Sequence, residues 1–288
     1  MNFVERLLNI GRRNQSLLCI GLDPDPDLMP IADVFEFNKE IIDATSDLVC
    51  AYKPNLAFYE AMGWRGARAL HRTVKYIAGA IPVIGDAKRG DVGHTSQAYA
   101  RALFDVMGFD ATTVSPYLGQ DSLEPFLSYT DKGVFILCRT TNPGALDIQT
   151  LRCFDDGGGK GLPLFEVIAQ RARRWNTRGN VGLVVGATSP AELKRVRQHC
   201  PDMPLLIPGV GTQGGDLVAA VQCGVNRRGE LAIISSSRQI IYASKEKDFA
   251  KAARQAAQQL RDQINAILQT GRMDSRGTEA TLEPGVAP

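Results

Sequence analysis

Short, uninterrupted apolar runs recur along the chain. Each is followed by Gly, Pro, Asp or Ser and then by a longer stretch with helical spacing. The runs are residues 17–22 (LLCIGL), 48–52 (LVCAY), 81–84 (IPVI), 111–114 (ATTV), 134–138 (VFILC), 181–185 (VGLVV), 204–207 (PLLI) and 231–234 (LAII). Continuity in place of alternation predicts strands buried on both faces, as in a parallel sheet. Between them, Phe37, Ile41, Ile42 and Ala44, with Leu48 beyond, repeat at helical spacing, as do Ala67, Leu70, Val74 and Ile77. Ala98, Ala102, Leu103 and Val106 predict a helix that ends at Gly108, where positive φ costs little. Leu164, Val167, Ile168 and Ala172 mark another, and 249–268 forms a long closing helix. Eight β-α units predict an α/β fold, a single-domain (β/α)8 TIM barrel over residues 1–270. A doubly wound open sheet is the alternative, because counting strands does not establish closure. The connection after the fifth strand, 140–163, is long and carries Gly157, Gly158 and Gly159, as lids or irregular excursions do. Residues 271–288 lack periodicity and are expected to form a disordered tail.

Composition narrows the partners. The chain has 288 residues, with 33 Lys+Arg against 31 Asp+Glu (net +2), and is 44% hydrophobic. Normal apolar content and low charge exclude disorder as the dominant state. A charge this small gives no general attraction to nucleic acid. No run reaches the ~18 apolar residues of a membrane span, and MNFVERLLNIGRRNQ lacks the apolar stretch of a signal peptide. A cytoplasmic protein with no nucleic-acid or membrane partner is expected. Cys19, Cys50 and Cys138 lie in apolar runs, while Cys153, Cys200 and Cys223 are isolated without C-x-x-C spacing, so buried or incidental thiols are predicted. The three histidines are scattered, which argues against a zinc site.

In a parallel barrel the chemistry gathers where strands exit at their C-terminal ends. Those exits give Asp23, then Lys53, then Asp86, Lys88 and Asp91, followed by Ser115, Thr141, Thr188, Gln213 and the segment from Ser235 to Arg238. Asp86 and Lys88 are two apart on a strand and therefore share a face. One carboxylate at ~4 Å stabilises an ammonium by roughly 4 kcal/mol at an effective dielectric of 20, so two can offset the desolvation of a buried lysine. Lys88 then stays charged, which suits a proton donor or a cation facing developing negative charge, not a Schiff-base amine. Gly209, Gly211 and Gly214 of PGVGTQGGD form a formal G-x-G-x-x-G, but at the seventh strand and without the acidic partner of a dinucleotide site. Turns after strands seven and eight bind phosphate in many barrels, and Arg238 offers a guanidinium fork nearby.

The run from Asp86 through Lys88 and Asp91 to Thr95, DAKRGDVGHT, resembles the signature of orotidine 5'-phosphate decarboxylases. The likeness continues through LDPDP at Asp23, YKPN at Lys53, SPYLGQDSLEPF, TNPGA, PGVGTQGGD and the Arg238 segment, in family order over residues 17–243. SPYLGQDSLEPF and the chain length resemble the family's longer bacterial branch. The resemblance implies a homodimeric TIM barrel that converts orotidine 5'-monophosphate (OMP) to UMP and CO2 without metal or organic cofactor. It further implies that Lys88 protonates C6, that Asp86 lies near the substrate carboxylate, and that Asp91 with Thr95 reaches the neighbouring subunit's site. Asp23 and Lys53 would hold the ribose hydroxyls, Gln213 would bridge base and phosphate, and Arg238 would bind phosphate. Two positions depart from the family. Thr141 stands where Ser is usual, adding a methyl to the hydroxyl, and IISSSRQIIYA lacks the usual Gly before the Arg. A sugar-phosphate decarboxylase or aldolase of the same superfamily is the nearest alternative, but its acidic metal ligand belongs where this chain has Lys53. An idle nucleotide-binding barrel is a second.

Overall fold

The computed structural model describes residues 1–154, 161–211 and 214–279. Its eight barrel strands are β1 (Leu18–Gly21), β2 (Ala51–Lys53), β3 (Ile84–Arg89), β4 (Ala111–Val114), β5 (Gly133–Arg139), β6 (Val181–Val185), β7 (Leu205–Pro208) and β8 (Ala232–Ser236). All pair in parallel, in the order β2-β1-β8-β7-β6-β5-β4-β3. The connections carry the helices Val34–Thr45, Gly63–Ile77, Gly93–Arg101, Gln120–Leu127, Leu164–Trp175, Pro190–His199, Leu217–Gly224 and Phe249–Glu279.

Closure falls between β2 and β3, the two ends of that ladder. It rests on isolated parallel bridges between Tyr52 and Val83 and between Asn55 and Asp86. Tyr52 N–H donates to Pro82 O and Asp86 N–H to Pro54 O, each at 2.9 Å. Proline has no N–H to return, so a seam flanked by Pro54 and Pro82 cannot build a full ladder. The open-sheet alternative is thereby set aside. The strand predicted at 81–84 instead begins at Ile84, beyond Pro82, and runs on through Asp86 and Lys88 to Arg89.

The core has two layers. Leu18, Ile20, Val134, Ile136, Leu183 and Leu205 face the surrounding helices, whereas Cys19, Ala51, Ile84, Ala111, Phe135, Val184, Leu206 and Ile233 fill the barrel itself. The helix Phe3–Arg13, which the periodicity reading omits, seals the N-terminal end by inserting Phe3 and Leu7 into the interior layer. Phe3 meets Phe135 edge to face at 5.7 Å. Its cap is reciprocal: Asn2 Oδ1 accepts from Glu5 N–H at 2.9 Å and Glu5 Oε2 accepts from Asn2 N–H at 3.0 Å.

The helix after β3 passes into a π turn at Ala102–Val106, and Gly108 takes the predicted positive φ, +78°. In the long connection after β5, a 3-10 turn (Pro143–Ala145) and a short helix (Leu146–Gln149) precede a two-residue antiparallel ladder of Arg152–Cys153 with Leu162–Pro163. Gly157, Gly158 and Gly159 lie outside the described residues. The closing helix extends to Glu279, past the expected start of a disordered tail at 271; residues 280–288 lie outside the described residues. All six cysteines are free thiols, four of them buried. Among the described residues, no helix is long and apolar enough to cross a membrane, and no His/Cys/Asp/Glu group could hold a metal ion.

Candidate active site

Strand periodicity builds the floor of the site. Two residues beyond each member of the interior apolar layer, on the same face of its strand, stand Gly21, Lys53, Asp86, Thr113, Leu137, Gly186, Pro208 and Ser235. Six of these (Lys53, Asp86, Thr113, Leu137, Pro208 and Ser235) line one cavity of about 640 Å³ at the C-terminal end of the barrel. Lys53, Asp86, Thr113 and Ser235 thus give a polar part of the floor, beside Leu137, Val184, Leu206 and Pro208.

Asp86 is the centre of that floor. Its Oδ2 receives Lys53 Nζ at 3.1 Å and its Oδ1 receives Lys88 Nζ at 2.6 Å. Burial alone would raise the Asp86 pKa, but the two ammonium groups outweigh it and hold the carboxyl well below the usual range. For Lys53, burial pulls the pKa down; Asp86 and Asp23 more than compensate, so it lies above its ordinary value. The two lysines differ in access: the Lys53 side chain is 8% exposed and that of Lys88 is 47% exposed. Lys53 is thus enclosed in the floor, and the Lys88 ammonium is the more accessible of the two.

Lys88 also has an unusual backbone, with φ +49°, which costs a non-glycine residue about 1–2 kcal/mol. The cause is a bulge. The β3–β4 ladder pairs Gly85 with Thr112 and Arg89 with Val114, so Asp86, Ala87 and Lys88 stand opposite Thr113 alone. Asp23, at the exit of β1, accepts the Asn55 N–H on Oδ1 at 3.1 Å. Its carbonyl accepts from Tyr242 Oη at 3.0 Å, and Tyr242 in turn accepts the Asp25 N–H at 2.6 Å. Burial pushes the Tyr242 phenol up to about 12.

Pro208, Gly209, Val210, Ser237 and Arg238 line the same cavity. Gly209, Gly211 and Gly214 all have positive φ (+97°, +85° and +79°), which explains the glycines of this turn. The helix that follows is capped by Asp216, which accepts Val218 N–H at 2.8 Å and Ala219 N–H at 3.3 Å. Arg238 is exposed and makes no side-chain hydrogen bond or ion pair among the described residues. Before it, the Ser237 hydroxyl donates to Gly21 O at 3.1 Å and packs over Gly21, where a Cβ would clash.

At the exit of β5, buried Arg139 pairs with Glu192, and its Nη1 donates to Thr140 O at 2.7 Å. The Gln149 amide ties the following helix back to Thr140, accepting its N–H at 2.9 Å and donating to its hydroxyl at 2.8 Å. Thr141 lines the cavity beside Gly186.

Of the residues singled out in the sequence, Asp23, Lys53, Asp86, Lys88, Thr141 and Arg238 line this cavity. Asp91, Thr95, Ser115 and Thr188 do not; Asp91 and Thr95 are half-buried on the segment after β3. Gln213 lies outside the described residues. Thr113, Asn55 and Tyr242 also line it, and the sequence reading does not single them out. Thr113 emerges only from the register: Ile84 pairs with Ala111, so two residues on, Thr113 falls beside Asp86. A second cavity, about 380 Å³, opens at the opposite end, where Arg12 is already paired with Glu230 at 2.8 Å.

Comparison with known proteins gives one consistent result. Residues 16–272 match the orotidine 5'-phosphate decarboxylase / HUMPS family. An orotidine 5'-phosphate decarboxylase of Dehalococcoides mccartyi (strain CBDB1) is 54% identical over 266 residues, covering 92% of this chain and 98% of the relative. One from Cupriavidus necator (strain H16) is 51% identical over 275 residues, covering 92% and 98%. The solved Leishmania donovani OMP decarboxylase superposes with a TM-score of 0.82 at 41% identity, covering 93% of this chain and 99% of that one. Matched from just before its first barrel strand to its closing helix, the chain belongs to the orotidine 5'-phosphate decarboxylase / HUMPS family.

Proposed function

We propose that this chain decarboxylates OMP to UMP and CO2 in pyrimidine biosynthesis, acting as a carbon–carbon lyase with Lys88 as its proton donor. The observation that carries the reading is the convergence of two ammonium groups on one carboxylate, with the more exposed of them facing the cavity. Breaking the bond from C6 to the carboxyl carbon leaves the electron pair on C6, where the pyrimidine ring does not delocalise it. A fixed ammonium aimed at that carbon stabilises charge that develops as the transition state forms. The Lys88 proton then passes to C6, CO2 departs, and the amine regains a proton from solvent. Asp86 lies where the substrate carboxylate approaches and holds the Lys88 ammonium in place.

Asp23 and Lys53 hold the ribose hydroxyls, Thr141 contacts the pyrimidine, Gln213 bridges base and phosphate, and Arg238 binds the phosphate. Among the described residues the Arg238 guanidinium makes no side-chain hydrogen bond or ion pair, and beside a glycine turn it suits phosphate oxygens. The metal-dependent sugar-phosphate branch is disfavoured by charge, since Lys53 and Lys88 already neutralise Asp86 and would repel a divalent cation.

The reading extends to a homodimer of barrels spanning residues 1–270, located in the cytoplasm and needing no cofactor. Asp91 and Thr95 are taken to complete the partner's site, which fits their position outside this chain's cavity lining. Trp64, Val92, Tyr117 and Leu118, on segments after β2, β3 and β4, are exposed apolar residues that a partner subunit would cover.

The test is loss of OMP absorbance in the presence of EDTA, with Lys88→Ala as control. Rapid turnover by wild type that the variant lacks supports the reading. No turnover, or turnover only after Mg²⁺ is added, moves the assignment to a binding protein or to the sugar-phosphate branch.

A further inference from the structure

We propose that Thr113, at the centre of β4, is a positioning residue for the decarboxylation: its single hydroxyl fixes both the backbone of Lys88 and the carboxylate of Asp86. This inference rests on the function proposed above. Thr113 Oγ1 accepts the Lys88 N–H at 2.9 Å and donates to Asp86 Oδ1 at 3.0 Å. Asp86 Oδ1 also receives Lys88 Nζ at 2.6 Å. The result is a closed ring in which the lysine is held at both ends, by its amide and by its ammonium, through one threonine and one aspartate.

The hydroxyl is used fully. It has one proton, spent on the carboxylate, and a lone pair that takes the amide. The amide needs it because the β3–β4 ladder lapses between Gly85 and Arg89. Between those two residues the part-buried Lys88 N–H is taken by the Thr113 hydroxyl, and a donor shielded from water is costly to leave without a partner. Thr113 is 1% exposed, so water does not readily replace its oxygen. The left-handed backbone of Lys88, φ +49°, is therefore held by a side chain on the next strand. Relaxation of that residue toward ordinary strand geometry would swing the ammonium off its line. The donor to Asp86 also favours its charged form, which in turn keeps Lys88 in place.

The experiment compares wild type with Thr113→Val, which keeps the shape and removes the hydroxyl, and with Thr113→Ser, which restores it. Each is assayed for OMP turnover across pH, with UMP binding and thermal unfolding measured alongside. Thr113→Val is expected to lower kcat by about 10- to 100-fold, with KM and UMP affinity within about threefold. The acid limb of its kcat profile should move to higher pH, because the carboxylate has lost a donor. Thr113→Ser should recover most of kcat and return the limb to its wild-type position. Should the Val variant not fold, Thr113→Ala is read in the same way. The inference is overturned if the Val or Ala variant keeps kcat within about twofold of wild type, or if Ser is as slow as Val with the acid limb unmoved. Failure of wild type itself to consume OMP would overturn the functional reading, a separate result from loss of the Thr113 effect in an active enzyme.

Discussion

Gly186 lies directly against the side-chain methyl of Thr141: a Cβ at position 186 would overlap Thr141 Cγ2. The extra methyl of threonine over serine at that position is thus accommodated by a glycine at the exit of the neighbouring strand. Gly186→Ala is therefore expected to push Thr141 out of place, lowering kcat/KM for OMP by about tenfold, or ~1.4 kcal/mol. In a Thr141→Ser background the same substitution should cost much less. The double-mutant cycle measures the difference, and additive effects would count against the contact.

Asp86 makes stability depend on pH in a defined window. Its folded pKa lies below its unfolded value, so its stabilisation is present above pH ~4 and is lost as pH falls through the folded pKa. For Lys53 the sense is opposite. Its stabilisation is complete below pH ~10.4 and is lost as pH rises through the elevated folded pKa. Asp86→Asn, which leaves Lys53 buried without its nearest carboxylate, is expected to destabilise by about 3–5 kcal/mol at neutral pH. Urea unfolding should show that gap unchanged between pH 6 and 9 and narrower at pH 3.

Shared sites predict complementation. Lys88→Ala and Asp91→Ala proteins should each be nearly inactive, and a mixture that exchanges subunits should recover up to about a quarter of wild-type activity, because random pairing makes half the dimers mixed and one of their two sites intact. Mass spectrometry of isotope-labelled subunits confirms exchange. No recovery despite exchange would place Asp91 in its own subunit's site.

Arg197 should matter for folding and not for turnover. Burial lowers its pKa to about 10. Its guanidinium donates to Gly224 O at 2.9 and 2.6 Å, to Cys200 O and Leu231 O at 2.9 Å, and to Met203 O at 2.7 Å. It thereby joins the ends of two outer helices to the entry of β8. Arg197→Leu is expected to cost about 3 kcal/mol or more of stability, read by chemical denaturation, with kcat of the folded fraction unchanged.

The sequence was most informative where one physical demand fixes residue type. Strands buried on both faces must be continuously apolar, so all eight runs fall on or beside barrel strands. Charges at their exits cluster because the barrel has one mouth. What was illegible depends on pairing across strands. Thr113 is one of two adjacent threonines in an unremarkable strand until the register sets it beside Asp86. The Phe3–Arg13 helix reads as a charged N-terminal segment until Phe3 is seen to enter the barrel.

The barrel's closing seam has a consequence for how this molecule breathes. Lys53 ends one flank of it and Asp86 stands on the other, so their ion pair spans the same gap as the two proline-accepted hydrogen bonds. Anything that strengthens the hold on these side chains also staples the cylinder shut. Deuterium uptake at the Tyr52 and Asp86 amides should then slow when nucleotide binds, so that occupancy of the mouth is readable as the wall's resistance to opening.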